Sequence, residues 1–166
     1  MKADMTRKKC SVILANDTGS FRLKEAVRKH LEGLDGYDVV DLGTRTPDMT
    51  MSYVDAGKRA ALAVRENADA RGILFCGSGA GVMLAANKHK GIRAVCESAE
   101  TARSARIIND ANILCMGSNI VEESLAGEMA EGFLTAAFVE GLTKEAEERV
   151  RRFACEVREI EESEFK

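Results

Sequence analysis

Tryptophan is absent from the chain, and aromatic residues make up only 5% of its 166 residues. So few aromatic side chains argue against the stacking platforms that bind single-stranded nucleic acid. The net charge of −3 provides no general attraction to nucleic acid or to an anionic membrane. No apolar run is long enough to cross a bilayer, and the basic segment Met1–Lys9 leads into strand-like sequence rather than a signal-peptide core. The sequence therefore predicts a soluble protein with no nucleic-acid or membrane partner.

Cysteine and histidine are both sparse. The five cysteines are scattered and show no Cys-x-x-Cys spacing: Cys10, Cys76, Cys96, Cys115 and Cys155. An odd and dispersed set predicts neither a disulfide framework nor a zinc site, and it favours a reducing cytoplasm. The two histidines, His30 and His89, fall within or at the end of helix-like segments, where we expect structural roles.

Short apolar segments alternate with helix-like segments along the chain. The apolar segments predict five strands, at 11–15, 37–42, 73–75, 92–96 and 113–116. Helical periodicity or helix-compatible composition covers 21–34, 53–66, 82–87, 101–108, 122–138 and 143–162. Buried strands that alternate with helices indicate a parallel sheet covered on both faces. With right-handed crossovers, this pattern predicts an α/β fold, a three-layer Rossmann-like sandwich, in one domain over residues 1–166.

The last predicted helix, at about 143–166, is strongly charged. Its apolar residues form one sparse stripe: Ala146, Val150, Phe153, Val157 and Ile160. One stripe is enough to pack a solvated helix onto its own chain. The length of this helix beyond the final strand also suits docking, and we expect it to pack on a partner subunit.

Residues 72–88 contain the most informative motif. A predicted strand ends at Cys76, and Gly77, Gly79 and Gly81 then lead into a helix. Such a turn directs several backbone N–H groups into one space, which suits an oxyanion or a phosphate. The thiol of Cys76 and the hydroxyl of Ser78 suggest chemistry in addition to anion binding. The alternative is a turn that only packs strand against helix, with Cys76 as a small buried apolar residue.

Other turns are predicted at the same edge of the sheet, because each follows the carboxyl end of a parallel strand. They are 16–20, 43–46, 76–81, 97–101 and 117–119. Ligands of open α/β sheets bind at this edge. The convergence of the turns favours a functional site over a packing motif alone.

Several of these segments carry a resemblance to a known family. Phe-Cys-Gly-Ser-Gly-Ala-Gly at 75–81, Ala-Ala-Asn-Lys at 85–88 and Gly-Ile-Arg-Ala at 91–94 resemble the CGTGxG…AANKxxGIRA block of the ribose-5-phosphate isomerase B and galactose-6-phosphate isomerase family. Shorter matches occur at 16–17, 21–24, 41–44, 53 and 109–112, so the similarity runs from about residue 10 to 149. The resemblance implies an oligomer, a dimer or larger, with sites between subunits. It also implies aldose–ketose interconversion of sugar phosphates through an enediolate, with no metal or organic cofactor.

The resemblance assigns roles to individual residues. It implies that Cys76 is the base that moves a proton between adjacent carbons, with the helix behind it favouring the thiolate, and that Ser78 stands where the family has threonine. Asp17 matches an aspartate that contacts sugar hydroxyls. The amides of the turn would hold the enediolate oxygen. The predicted substrate-binding residues are Asn16, Thr18, Tyr53, Gly77, Gly79, Ala80, Gly81, Asn109, Arg149 and Arg45.

Departures from the family pattern concern ring opening and phosphate binding. Thr18 and Ile108 occupy positions where the family has histidine, and Asn119 replaces an arginine. Arg149 remains from the terminal basic pattern, and Arg45 is a further candidate for an anionic group. Loss of both imidazoles favours a substrate that cannot close a ring, such as a tetrose or tetrulose phosphate. It leaves a non-phosphorylated sugar or a different acid group open.

Three alternatives stay open at this stage. The first is an ordinary ribose-5-phosphate or galactose-6-phosphate isomerase. The second is a weakly active binding subunit of a heteromeric isomerase, against which the retained Cys76 argues. The third is a dinucleotide-binding protein, but the glycine pattern follows the third strand, and Asp41 is poorly placed to bind a ribose.

Overall fold

The computed structural model describes residues 9–165, so the first eight residues and Lys166 of the predicted domain lie outside the described part. A five-stranded parallel sheet forms its centre. Its strands are β1 (Cys10–Asn16), β2 (Tyr37–Asp41), β3 (Arg71–Cys76), β4 (Ala94–Cys96) and β5 (Ile113–Gly117). The spatial order is β2-β1-β3-β5-β4, with β1 and β3 hydrogen-bonded to each other.

Helices cover both faces of the sheet. They are α1 (Phe21–Glu32), α2 (Tyr53–Glu66), α3 (Ala80–Ala86), α4 (Ala99–Asn109), α5 (Glu123–Thr135) and α6 (Lys144–Glu164). One core cluster joins the sheet to α1, α4 and α5, and the other joins it to α2 and α3. The side chains of β1 alternate between the two clusters, with Val12 and Leu14 in one and Ile13 in the other. The predicted three-layer sandwich with a parallel sheet is confirmed.

Local features explain several of the element boundaries. The side chain of Ser52 caps α2 by accepting a hydrogen bond from the Asp55 N–H at 3.0 Å. Predicted helix 122–138 is shorter in the structure, because Ala136 is extended with ψ 143° and ends α5. Predicted strand 92–96 begins two residues later, after Gly91 turns the chain with φ +83°.

Helix α6 packs on its own chain through only part of its apolar stripe. Val150 is buried, whereas Phe153, Val157 and Ile160 are 49%, 53% and 63% exposed. Near its end, Glu161 accepts a hydrogen bond from the Gly91 N–H at 2.6 Å. Three of the five residues of the stripe therefore remain exposed in a single chain.

Within residues 9–165, none of the helices combines the length and the apolar character needed to span a membrane.

Candidate active site

The strand order places two predicted site residues side by side. In the sheet, β2 lies on one side of β1 and β3 lies on the other. The direction in which successive strands are added therefore reverses between β1 and β3. Asp17 follows β1 and Cys76 ends β3, and the Asp17 N–H donates to the Phe75 carbonyl at 3.0 Å. In open α/β sheets the crevice beyond this point is the usual ligand site.

The turn after β3 surrounds the sulfur of Cys76. The Gly79 N–H donates to Cys76 Sγ at 3.1 Å, and Gly79 itself adopts a left-handed conformation with φ +79°. Ser78 is exposed, and its Oγ accepts a weak hydrogen bond from the Ala80 N–H at 3.3 Å. In the single chain Cys76 is only 4% exposed. A hydrogen bond from a backbone N–H to sulfur stabilises negative charge on that sulfur.

The end of β5 supports this turn from below. A Cβ atom built on Gly117 would lie 2.7 Å from the carbonyl carbon of Ser78, so no side chain fits there. The Ser118 and Asn119 N–H groups donate to the Cys76 and Gly77 carbonyls at 2.9 and 3.0 Å. The turn is therefore held by contacts with a strand about 40 residues further along the chain.

One carboxylate oxygen of Asp17 has no hydrogen-bond partner among the described residues. Its Oδ1 is buried, and among residues 9–165 no group hydrogen-bonds to it. A buried acceptor without a partner costs about 1–3 kcal/mol, so folded proteins seldom retain one. Such an oxygen, on the residue that directly follows β1, is suited to accept a hydrogen bond from a ligand.

A buried polar network fixes the backbone next to Asp17. Asn16 is fully buried; its Nδ2 donates to the Asp17 carbonyl and to Thr44 Oγ1, both at 2.7 Å, and its Oδ1 accepts from the Thr44 N–H. The ammonium group of Lys24, also fully buried, is bonded to the Thr44 carbonyl and to the carboxylates of Asp41 and Glu25. All the amide atoms of Asn16 are thus used inside the protein.

Thr18 and Tyr53 border the crevice on the side of α2. The Thr18 hydroxyl accepts from the Met51 N–H at 2.9 Å and donates to the Met51 carbonyl at 3.1 Å. Tyr53 begins α2, is 46% exposed, and its ring lies 3.1 Å from where a Cβ of Gly81 would be. Thr18 thus fixes the segment before α2 against the residue that follows Asp17, and Tyr53 packs the start of α2 against the turn after β3.

The other three predicted site residues lie away from Cys76 in the same chain. Asn109 ends α4, whose 11 residues run back across the sheet for about 16 Å to its amino edge. Arg149 lies one turn before Phe153 on α6, and Phe153 lines the same cavity as Asn109. Arg45 borders a surface depression with Glu25 and Asp41 beyond β2, which β1 separates from β3.

Three features of the site were not assigned roles from the sequence. They are the close approach of Gly117 to Ser78, the hydrogen bond of 3.0 Å between the hydroxyls of Ser20 and Ser118, and the buried ammonium of Lys24. The turn at 117–119 was predicted to lie at this edge. Its partners could not be predicted, because each contact joins segments distant in the sequence.

Two further cysteines lie close to the turn. Partial burial raises the pKa of the Cys96 thiol, and the neighbouring Cys76 and Glu97 raise it further. Burial also raises the pKa of Cys115 well above its ordinary value. Both thiols are therefore protonated at neutral pH. Within residues 9–165, no cluster of three or more histidine, cysteine or acidic side chains could hold a metal ion.

Comparisons with known proteins show which family the chain resembles. A family described as Ribose/Galactose Isomerase matches residues 12–153. The 4-deoxy-4-sulfo-D-erythrose isomerase of Clostridium sp. (strain MSTE9) is 40% identical over 153 residues, which cover 92% of this chain and 96% of that protein. D-erythrulose-4-phosphate isomerase 2 of Mycolicibacterium smegmatis is 37% identical over 129 residues, covering 76% and 85%.

Solved structures of ribose-5-phosphate isomerases B have the same fold as this chain. Ribose-5-phosphate isomerase B from Mycoplasma genitalium, solved with bound ribulose-5-phosphate, superimposes with a TM-score of 0.81 at 34% identity, covering 92% of this chain and 96% of that one. The chain belongs to the ribose/galactose isomerase family and is a sugar isomerase of the aldose–ketose type. The predicted family and enzyme class are confirmed. The roles of individual site residues stay predictions.

Proposed function

We propose that this chain interconverts an open-chain aldose and ketose of four carbons whose C4 carries an acid group, a sulfonate or a phosphate. The hydrogen bonding of the Thr18 hydroxyl is the observation that carries this proposal. This hydroxyl is engaged by both backbone groups of Met51, so the residue beside Asp17 offers no free acid to open a sugar ring. A four-carbon sugar with an acid group at C4 lacks the C4 hydroxyl needed to close a ring, and it requires no such acid.

The proposed chemistry is a proton transfer at Cys76. The thiolate removes a proton from the carbon next to the carbonyl, and the electron pair moves onto the carbonyl oxygen to give an enediolate. Backbone N–H groups of residues 77–81 stabilise the developing charge on that oxygen. The thiol then returns the proton to the adjacent carbon, and a proton moves between the two oxygens. Asp17 Oδ1 accepts a hydrogen bond from a substrate hydroxyl, and Asn16 acts indirectly by holding Asp17 and Thr44.

Relatives with four-carbon substrates support the substrate class. The names of two proteins, 40% and 37% identical to this chain, specify a sulfo-erythrose and an erythrulose phosphate. Ribose-5-phosphate isomerases occur at similar identity, for example 38% over 126 residues for the Escherichia coli enzyme. Ribose 5-phosphate is therefore the second candidate. It fits less well, because its ring must open before a proton can be removed.

We also infer a homo-oligomer, a dimer or tetramer, with sites completed across the subunit contact. Asn109 and Arg149 lie toward the opposite edge of the sheet from Cys76, so in one chain they cannot reach its substrate. The exposed stripe of Phe153, Val157 and Ile160 supplies an apolar surface beside them for a second copy. Free cysteines throughout the chain support a cytoplasmic location.

A comparison of substrates tests the proposed function. The purified chain is incubated in deuterium oxide with 4-deoxy-4-sulfo-D-erythrose, D-erythrulose 4-phosphate or ribose 5-phosphate, and both isomer formation and deuterium incorporation are followed. We expect kcat/KM for at least one four-carbon substrate to exceed that for ribose 5-phosphate by about 100-fold, because binding and ring opening both discriminate. Equal turnover of ribose 5-phosphate would refute the proposal.

Two variants serve as controls in the same assay. Cys76→Ala removes the proposed base and should abolish turnover, whereas Cys155→Ala alters an exposed cysteine on α6 and should change nothing. The absence of deuterium incorporation with all three sugars would favour a binding subunit without its own activity.

A further inference from the structure

Two sulfur atoms flank the same glycine in the turn after β3. On one side, the Gly79 N–H donates to Cys76 Sγ at 3.1 Å. On the other, a Cβ atom built on Gly79 would lie 2.5 Å from Cys96 Sγ, so that sulfur rests directly on the Gly79 Cα. Cys96 comes from β4, which pairs with β5 and not with β3, so this contact reaches across the sheet.

Cys96 also contacts the peptide group that precedes Gly79. Its thiol lies 3.5 Å from the Ser78 carbonyl oxygen and donates to it. The orientation of the Ser78–Gly79 peptide determines where both the carbonyl of Ser78 and the N–H of Gly79 point. A donor bonded to the carbonyl therefore also orients the N–H that faces Cys76.

The close packing around Gly79 restricts the orientation of the Ser78–Gly79 peptide. Backbone atoms of Met116 and Gly117 lie 3.2 Å from the position that a Cβ of Gly79 would occupy, and the positive φ of Gly79 requires a residue without a side chain. The backbone of β5 thus blocks movement from below, and Cys96 blocks it from the side. Cys96 is otherwise exposed, so it has no large role in the core.

We infer that Cys96 is a positioning residue for catalysis: its sulfur holds the Ser78–Gly79 peptide so that the Gly79 N–H stays directed at Cys76 Sγ. The inference rests on the proposed function, because it treats Cys76 as the base. Cys96 makes no proposed contact with substrate and exchanges no proton with it. The raised pKa of its thiol keeps the S–H bond that the Ser78 carbonyl requires.

Substitution of Cys96 tests the inference with the preferred sugar of the substrate comparison. In Cys96→Ala the peptide loses its lateral support, and we expect kcat to fall about tenfold with KM within twofold, since small misplacements of reacting groups are costly. In Cys96→Ser a hydroxyl can still donate to the Ser78 carbonyl, and kcat should return to within about threefold of the native value. Cys155→Ala is the matched control and should match the native protein.

Hydrogen exchange at the Gly79 amide gives a readout that does not depend on activity. We expect this amide to exchange about tenfold faster in Cys96→Ala than in the native protein, with exchange in β1 and α1 unchanged. A lower melting temperature with unchanged kcat and unchanged Gly79 exchange would overturn the inference. So would equal loss of activity in Cys96→Ala and Cys96→Ser.

The assigned base and the positioning role of Cys96 can be refuted separately. Full activity of Cys76→Ala would refute the assigned base and, with it, the positioning role of Cys96. Loss of activity in Cys76→Ala together with native kcat in Cys96→Ala would refute only the inference about Cys96.

Discussion

Asp17 and Asn16 are neighbours in the sequence, but their side chains are in opposite states. Asn16 has partners for all its amide atoms, whereas Asp17 keeps one buried oxygen unpartnered among the described residues. The first arrangement stabilises the fold, and the second costs stability that a ligand can restore. The sequence predicted both residues for the site through a resemblance, but it could not separate these two roles, because the partners of Asn16 lie 28 residues away at Thr44.

Substitution of Asp17 should therefore separate activity from stability. Asp17→Asn replaces a carboxylate that has one unpartnered oxygen by a neutral amide of the same shape. We expect the free energy of unfolding to stay constant or rise by up to about 1 kcal/mol, while kcat/KM falls about 10²-fold through loss of a charged acceptor for a sugar hydroxyl. Chemical denaturation and steady-state kinetics measure the two quantities.

Asp38→Asn is the matched control, because Asp38 is exposed on β2 and far from the crevice. It should leave both the unfolding free energy and kcat/KM unchanged. Equal destabilisation and loss of activity in Asp17→Asn would indicate that Asp17 has a structural role only.

At the level of elements, apolar patterns and helix-compatible composition in the sequence predicted β1–β5 and α1–α6 to within a few residues. The spacing of apolar residues is a local property, and so is a cap such as Ser52. The order of the strands is not local: β5 inserts between β3 and β4, although β4 precedes it in the chain. That insertion brings Gly117 below the turn after β3, a contact that no local pattern specifies.

A methyl group at Gly117 should therefore disturb the turn more than the sheet. In Gly117→Ala the new Cβ would meet backbone atoms of Ser78 at 2.7–3.0 Å, and backbone cannot rotate away as a side chain can. We expect kcat to fall at least about tenfold, with a loss of about 1–3 kcal/mol in unfolding free energy from overpacking. Kinetics and thermal unfolding measure the effects.

Gly132→Ala is the matched substitution within α5, where a Cβ would meet nothing within 4 Å. It should raise the unfolding free energy by about 0.5–1 kcal/mol through helix propensity and leave kcat unchanged. A native kcat for Gly117→Ala would show that the turn does not depend on the end of β5.

At the level of the whole molecule, the predicted site residues other than Arg45 fall into two groups. Asp17, Tyr53, Cys76 and Ser78 meet beyond the carboxyl ends of β1 and β3, whereas Asn109 and Arg149 lie toward the amino edge near the exposed stripe of α6. A list of residues from the sequence cannot show this division, because distance along the chain says nothing about which edge a residue reaches. The proposed oligomer joins one group of each chain to the other group of a second copy.

Mixed oligomers provide a direct test of this division. Cys76→Ala and Asn109→Ala subunits, each carrying a different tag, are co-expressed, and the oligomers that bind both tags are isolated and assayed. If each site takes Cys76 from one chain and Asn109 from another, a mixed pair of subunits has one intact site and one site that lacks both residues, so activity should return to about half of native. Cys76→Ala paired with Asp17→Ala is the control and should recover nothing, because these two residues belong to the same half-site. Activity in the first mixture no higher than in either variant alone would mean that each site lies within one chain.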